Sequence, residues 1–230
     1  MIASHDELAA EIRRHAYLEG DFVLRSGRRS SYYLDKYRFE TRPELLRALG
    51  ERIAAEVVEH AYLEGDFVLR SGKRSRYYLD KYRFETRPEL LRPLGERIAA
   101  NVREHAPDAT RLAAPELGAV ALAAAASLES QLPFVIVRKA AKEYGTARRI
   151  EGPYDEGECI CLVEDVVTSG GALLDSIEAL REVGLVVHTA VCVVDREEGG
   201  SDALARQAVR LRPIFRAGEL LAQRNRVVER

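Results

Sequence analysis

Apolar and polar positions alternate in blocks along the second half of the chain, in an order typical of an α/β sheet. Short apolar runs, which predict buried strands, begin near residues 110, 134, 159, 185 and 210. Segments with helical spacing follow most of these runs, and the predicted helices end near residues 128, 184 and 223. Because strands that alternate with helices usually pair in parallel, we expect a central, mostly parallel sheet flanked by helices.

The first half of the chain contains a segment of 45 residues that occurs twice. Residues 15–59 and 60–104 align without gaps and differ at five positions, which leaves 40 identities. Two copies do not make a solenoid, so we interpret the repeat as a tandem duplication of a segment that one domain needs once. We therefore expect an extra amino-terminal copy at residues 1–59 and a functional domain at residues 60–230, which comprises a second copy (60–105) and a core (106–230).

Each copy has the pattern of a β-hairpin followed by a helix. In the second copy, residues 66–70 and 77–84 have strand character on either side of a Ser-Gly-Lys turn. The capping box TRPE at residues 86–89 then begins a helix that runs to about His105. In the first copy, the corresponding helix should continue through residues 50–62, because nothing there breaks it.

The most informative stretch is CICLVEDVVTSGGALL, at residues 159–174. It predicts a buried strand ending at Glu164 and Asp165, a Thr-Ser-Gly-Gly turn and a helix start, which is where open α/β sheets bind ligands. Ionised carboxylates accept hydrogen bonds from vicinal sugar hydroxyls, and the turn can direct N–H groups and two hydroxyls at a phosphate. Together these features fit a ribose 5-phosphate, provided that both carboxylates border an open cleft.

A cationic segment lies one strand earlier, within residues 133–152. Arg138, Lys139 and Lys142 follow the apolar run 134–137, in a stretch too polar for a core and too rich in Gly and Thr for a firm helix. We expect a mobile loop whose cations contact a pyrophosphate, with about 1.5–3 kcal/mol for each charge-assisted hydrogen bond. No Gly-Lys-Ser/Thr follows the glycines of the phosphate turn, so ATP or GTP hydrolysis is disfavoured.

These motifs resemble the type I phosphoribosyltransferases. RKxxKxxG at residues 138–145 and the hairpin LRSGKRSRYYL at residues 69–79 resemble the orotate phosphoribosyltransferases in particular. The resemblance implies a type I phosphoribosyltransferase fold with a small hairpin-and-helix hood, here present twice. It implies transfer of the phosphoribosyl group of phosphoribosyl pyrophosphate to orotate, giving orotidine 5′-phosphate and pyrophosphate in pyrimidine (UMP) synthesis. Mg²⁺ would be held through phosphoribosyl pyrophosphate, with water-mediated contacts near Glu164 and Asp165, and not directly by side chains.

The resemblance also implies residue roles. Those in catalysis are Glu164, Asp165, Arg138, Lys139 and Lys142. The same five residues would contact phosphoribosyl pyrophosphate, together with Tyr144, Val166, Val167, Thr168, Ser169, Gly170, Gly171 and Ala172. The residues expected at orotate are Arg70, Tyr78, Leu79, Thr168 and Arg196. Tyr144 stands where the family commonly has His, and Gly118 stands where a phosphate-contacting loop often has Lys.

The sequence does not decide which copy serves the site. Arg25 and Tyr33 of the first copy offer the same chemistry as Arg70 and Tyr78 of the second. We favour the second copy because it joins the sheet directly. A swapped arrangement, in which the first copy covers a partner's site, is the alternative. We also expect a homodimer in which the loop at residues 138–149 reaches the partner's site.

Two other functions remain open: a phosphoribosyltransferase for another base, such as a purine, and a non-catalytic regulator that senses phosphoribosyl pyrophosphate. The loop and the hairpin argue against another base, and the retained loop cations argue against a regulator. The duplication could also have produced an inactive variant.

Composition narrows the setting. The net charge of −2 argues against broad nucleic-acid binding. No apolar run reaches membrane-spanning length, and the amino terminus lacks a secretory pattern. Cys159, Cys161 and Cys192 lie in predicted strands without metal-ligand spacing, so we expect reduced thiols in a cytoplasmic protein.

Overall fold

The structure is a computed structural model that describes residues 5–23, 28–34, 43–68, 74–140 and 149–228. The chain divides into two compact units, residues 1–54 and residues 55–230. In the described parts of the chain, no helix is both long and apolar enough to cross a membrane.

The first unit begins with helix α1 (His5–Ala16) and continues into a hairpin of strands β1 (Tyr17–Val23) and β2 (Arg29–Leu34). The two strands are antiparallel, and the rings of Tyr17 and Tyr32 stack with centroids 5.5 Å apart. Helix α2 (Pro43–Ala61) follows and passes into the second unit. The prediction of a continuous helix through residues 50–62 is therefore confirmed to within one residue.

The second unit repeats this hairpin with strands β3 (Tyr62–Val68) and β4 (Arg74–Leu79), in the same register. Helix α3 (Tyr82–Glu85) comes next and is followed by α4 (Pro88–His105). The predicted strand over residues 77–84 is thus wrong beyond Leu79. The backbone N–H groups of Phe84 and Glu85 both donate to the carbonyl of Lys81, and this single turn buries the two neighbouring side chains together, whereas a strand would separate them.

The core is a six-stranded sheet in the order β10-β9-β8-β5-β6-β7. Its strands are β5 (Arg111–Pro115), β6 (Phe134–Val137), β7 (Ile150–Glu151), β8 (Cys159–Val167), β9 (Val186–Asp195) and β10 (Arg210–Arg216). Only β7 runs antiparallel to its neighbour. The expected mostly parallel sheet is therefore confirmed.

Helices cover both faces of this sheet. They are α4, α5 (Gly118–Ser130), α6 (Gly171–Glu182), α7 (Gly200–Ala205) and α8 (Ala217–Val228). Ile160 and Leu162 of β8 share one core cluster with Leu173 and Ile177 of α6. The alternate residue Cys161 is buried on the opposite face, the side from which α5 contacts β8. Sequence analysis did not predict α7, and α8 extends past the predicted end at residue 223.

The topology brings three connections to one edge of the sheet. Because β5, β8 and β9 run in parallel, the segments that follow their carboxyl ends lie side by side. These segments are residues 116–118, 168–170 and 196–199. Ligands of open parallel sheets bind at this edge, so the candidate functional site lies here.

Candidate active site

Glu164 and Asp165, which we call the acid pair, lie in β8 near its carboxyl end. Glu164 Oε1 accepts a hydrogen bond from the Asp165 N–H at 3.0 Å, and Asp165 Oδ1 accepts one from the Val166 N–H. Their relative exposures are only 6% and 2%. The expectation that both carboxylates border an open cleft is therefore wrong for this structure, and a sugar hydroxyl can reach Asp165 Oδ2 only if Lys81, which now occupies that oxygen, moves away.

Lys81 is the side chain that covers Asp165. Its Nζ lies 2.6 Å from Asp165 Oδ2, and it comes from the turn between β4 and α3. Burial is the largest single effect and disfavours the charged lysine, but the charge and hydrogen bond of Asp165, together with the charges of Glu85 and Glu164, outweigh burial and raise the pKa of Lys81. Gly118 makes room for this pair, because a Cβ at that position would lie 2.5 Å from Lys81 Nζ and still closer to the Asp165 carboxylate.

A third carboxyl group, that of Glu85 in α3, is buried beside the acid pair. Burial, and then the charge of Asp165, raise the pKa of Glu85 to about 9. Burial and the same neighbouring charge raise the pKa of Glu164 to about 8. Burial therefore favours the protonated forms of Glu85 and Glu164 beside the Lys81–Asp165 ion pair.

The phosphate turn, residues 168–172, joins β8 to α6. Gly170 has φ +83°, and a Cβ there would lie 2.9 Å from Leu204 Cδ1, so this position requires glycine. Thr168, Ser169, Gly171 and Ala172 are exposed. The turn therefore presents two hydroxyls and the amino terminus of α6 to solvent, as an anion site requires.

Arg196 follows β9 and reaches the hood, which is the segment 60–105. Its guanidinium lies over the ring of Tyr77, 4.9 Å from the ring centroid, and its Nε is 3.0 Å from Glu198 Oε1. The Arg196 side chain is 7% exposed. Arg196, Tyr77 and Leu79 line a small cavity of about 20 Å³, which apolar residues of α8 help to enclose. This space holds little more than a water molecule, so a planar anion could lie against Arg196 only after the hood or α8 moves.

Tyr78, the predicted partner of orotate, points away from Arg196. Its ring packs at 5.6 Å from that of Phe67 and is 38% exposed. Neighbouring residues of a strand face opposite sides, so Tyr77 and Leu79 are the residues that face the core. Sequence analysis named Leu79 but missed Tyr77, because the repeat does not reveal which face of its hairpin meets the core.

The base of the cationic loop, residues 138–149, is tied to the segment after β5. The Lys139 N–H donates to Glu116 Oε1 at 3.0 Å, and Arg138 Nε lies 3.5 Å from Glu116 Oε2. The Arg138 N–H donates to the Arg149 carbonyl at 2.8 Å, which closes the base of the loop. Three predicted site residues lie outside the described residues: Arg70, Lys142 and Tyr144.

Sequence analysis also missed Lys81 and Glu85. A signal was present, because a lysine and a glutamate four residues apart, with Phe84 between them, fit one helical turn. Within the described residues, no group of three or more His, Cys, Asp or Glu side chains has the geometry to hold a metal ion. The three cysteines are free, and burial raises the pKa of Cys159 to about 11 and that of Cys161 to about 12.

A mostly parallel sheet with helices on both faces, an acid pair in its central strand and a glycine turn just beyond define the type I phosphoribosyltransferase fold. A model of the phosphoribosyl transferase domain matches residues 89–210, more than half of the chain. The chain is 50% identical over 203 residues to an orotate phosphoribosyltransferase of Methanocella arvoryzae, covering 88% of each sequence. It therefore belongs to the orotate phosphoribosyltransferase family, whose members are transferases of pyrimidine synthesis.

Other relatives agree. The orotate phosphoribosyltransferase of Halobacterium salinarum is 44% identical over 221 residues, which cover 96% of this chain and 98% of the relative. The crystal structure of the Mycobacterium tuberculosis enzyme in complex with Fe(III) dicitrate superimposes with a TM-score of 0.67 at 28% identity. That match covers 75% of this chain and 98% of the other.

Proposed function

We propose that this chain transfers the phosphoribosyl group of phosphoribosyl pyrophosphate to orotate, releasing pyrophosphate and forming orotidine 5′-phosphate. The observation that carries the proposal is the arrangement at one sheet edge. The acid pair, the phosphate turn and Arg196 follow one another across β8 and β9, with Arg196 seated under an aromatic ring of the hood. Family membership supports the same reaction.

The acid pair would bind the ribose hydroxyls and stabilise the positive charge that develops on the anomeric carbon as its bond to pyrophosphate breaks. The phosphate turn, together with Val166 and Val167 before it, would bind the 5′-phosphate through N–H groups and the hydroxyls of Thr168 and Ser169. Catalysis in this proposal is positioning and electrostatics, because the deprotonated ring nitrogen of orotate is already a nucleophile.

Arg138, Lys139 and Lys142 of the cationic loop would stabilise the departing pyrophosphate. Tyr144 could donate one further hydrogen bond, without a charge. The hydrogen bond from the Arg138 N–H to the Arg149 carbonyl holds the two ends of this loop together. We further propose a homodimer in which this loop reaches the partner's site, so that mixing Lys139→Ala and Asp165→Asn chains should restore part of the activity. Mixtures as inactive as either parent would contradict the shared site.

Mg²⁺ would enter with the substrate. The diphosphate and water would be its main ligands, with Glu164 and Asp165 nearby. Such an ion would offset the charge of the diphosphate as it leaves. The three free cysteines are compatible with a cytoplasmic enzyme.

Orotate would lie between Arg196 and the hood. A guanidinium can bind a carboxylate with two parallel hydrogen bonds, and aromatic rings favour a flat heterocycle. Leu79 lines the cavity beside Arg196, and Thr168 and Arg70 are expected near orotate on sequence grounds. Tyr78 would then support Phe67 from the far side of the hairpin, and Tyr77 would contact the base.

We assign the hood role to the second copy of the repeat. Tyr77 and Lys81 of that copy contact Arg196 and Asp165 of the core, at 4.9 Å and 2.6 Å. The first copy, residues 1–59, would then be an appendage that the reaction does not need. Removing residues 1–54, the first compact unit, should leave turnover within about twofold of the full chain, and a loss of turnover from a folded truncation would show that the first copy serves a site.

A direct assay tests the reaction. Loss of orotate absorbance should follow addition of phosphoribosyl pyrophosphate and Mg²⁺ to the purified chain, and no loss should occur without either addition. Parallel reactions with adenine and hypoxanthine test the nearest alternative. Turnover with a purine only, or tight binding of phosphoribosyl pyrophosphate without turnover, would overturn the proposal.

A further inference from the structure

The loop between β5 and α5 carries no cation, yet an ammonium group lies directly over it. Residues 116–119 read Glu-Leu-Gly-Ala. Lys81 Nζ, which comes from the hood, lies 2.5 Å from where a Cβ at Gly118 would be. The same ammonium is 2.6 Å from Asp165 Oδ2. One charge from the hood therefore sits between the acid pair and the loop that faces it.

The geometry points to Lys81 as a further substrate-binding residue, which pairs with Asp165 in the free enzyme and turns to the diphosphate of phosphoribosyl pyrophosphate when that substrate binds. This inference rests on the proposed function. It adds a residue from the hood to a diphosphate site otherwise composed of the cationic loop.

Three observations carry the step from ion pair to ligand. The Asp165 side chain is 3% exposed, whereas that of Lys81 is 30% exposed, so the lysine approaches from the solvent side. A sugar diol that binds Asp165 must take the oxygen that Lys81 now occupies, and the displaced ammonium then needs another anion. The lysine stem ends beside Gly118, where no side chain limits its rotation toward a diphosphate.

The rest of the cluster argues against a purely structural ion pair. Asp165 already holds the ammonium as an ion pair, and Glu85 and Glu164 beside it would attract the lysine further if they ionised. Burial raises the pKa of each of these two acids, so Asp165 is the main anionic partner of the lysine. A diphosphate offers the lysine more charge than that single partner does.

Binding of inorganic pyrophosphate, measured by titration calorimetry with Mg²⁺ on the full chain, separates this role from a structural one. Lys81→Gln keeps an N–H donor for Asp165 but removes the charge, and Lys81→Arg keeps the charge. Lys36→Gln changes the matching lysine of the first copy. Steady-state kinetics then give KM for each substrate separately.

Lys81→Gln should weaken pyrophosphate binding and raise KM for phosphoribosyl pyrophosphate by about tenfold or more, as loss of one charge-assisted hydrogen bond predicts. KM for orotate should change by less than about threefold, Lys81→Arg should retain clearly more pyrophosphate affinity than Lys81→Gln, and Lys36→Gln should stay within about threefold of wild type.

Pyrophosphate binding by Lys81→Gln at the wild-type level would overturn the inference, as would an equal loss in Lys81→Arg. If Lys81→Gln does not fold, Lys81→Arg decides alone, because a folded arginine variant that loses tenfold in pyrophosphate affinity contradicts the role. Wild-type turnover with orotate, measured in the same kinetic series, shows separately whether the proposed function holds.

Discussion

The buried carboxyl group of Glu85 should make the free energy of unfolding depend on pH. Glu85 is 4% exposed, and burial and the charge of Asp165 raise its pKa from 4.5 to about 9. The native state therefore holds a proton that the unfolded chain releases above its ordinary pKa. We expect the replacement Glu85→Gln, which mimics the protonated acid in shape, to remove this proton from the balance.

The sign follows from linkage. Because the folded pKa lies above the unfolded one, the stabilising contribution is complete below about pH 4.5 and is lost as pH rises toward about 9. One proton changes the free energy of unfolding by at most about 1.4 kcal/mol per pH unit. Between pH 6 and pH 8, wild type should lose up to about 2.7 kcal/mol relative to Glu85→Gln. For a chain of this length that corresponds to roughly 5–10 °C in Tm.

Thermal unfolding followed by circular dichroism at pH 6, 7 and 8 measures the effect. Because the contribution already declines above about pH 4.5, Glu85→Gln should be the more stable protein at pH 6, and its advantage should grow as pH rises. Glu164, whose pKa is also raised, contributes to both proteins and largely cancels in the difference. Glu40→Gln, the same change in the first copy, is the matched control and should follow wild type. Parallel curves for wild type and Glu85→Gln would refute the reasoning.

Three further changes test other parts of the site. Arg70→Ala should lower kcat/KM at least tenfold more than Arg25→Ala, and equal effects would mean that both copies, or a swapped one, serve the site. Gly170→Ala should raise KM for phosphoribosyl pyrophosphate, because a Cβ would meet Leu204 at 2.9 Å and φ is +83°; unchanged kinetics would exclude the phosphate turn. Arg196→Ala should raise KM for orotate by about tenfold to a hundredfold, the range for a charge-assisted pair, and an unchanged KM would place orotate elsewhere.

The sheet and the phosphate turn were predictable because their signals are local. A buried parallel strand is mostly apolar, and β8 and β9 are mostly apolar strands of nine and ten residues. The left-handed turn at Gly170 needs glycine, and the helix after it has its own spacing. Each of these features depends on residues within about twenty positions of one another, so the sequence pattern was sufficient.

The cover over the acid pair was not predictable, because it depends on contacts between distant residues. Lys81 and Asp165 are 84 positions apart, and no motif in either segment indicates that the two side chains are in contact. The alternation from Tyr77 to Phe84 predicted a strand, whereas burial of Phe84 and Glu85 against the core favours one helical turn. Because a strand was predicted there, Lys81 was expected to be an ordinary solvent-exposed lysine and was not recognised as a site residue.

The duplicated hood raises the question of what determines which of its two copies packs against the core. The copies differ at residues 28/73, 31/76, 48/93, 56/101 and 58/103. None of these pairs includes Tyr77, Lys81 or Glu85, so the side chains that meet the core are the same in both copies. Side-chain chemistry therefore cannot distinguish the copies, and connectivity must. The second copy is joined to β5 through α4 and a five-residue connection, which gives it a higher effective concentration at the acid pair than a segment tethered farther away. A core has one Asp165 and one Arg196, so only one copy at a time can occupy this position.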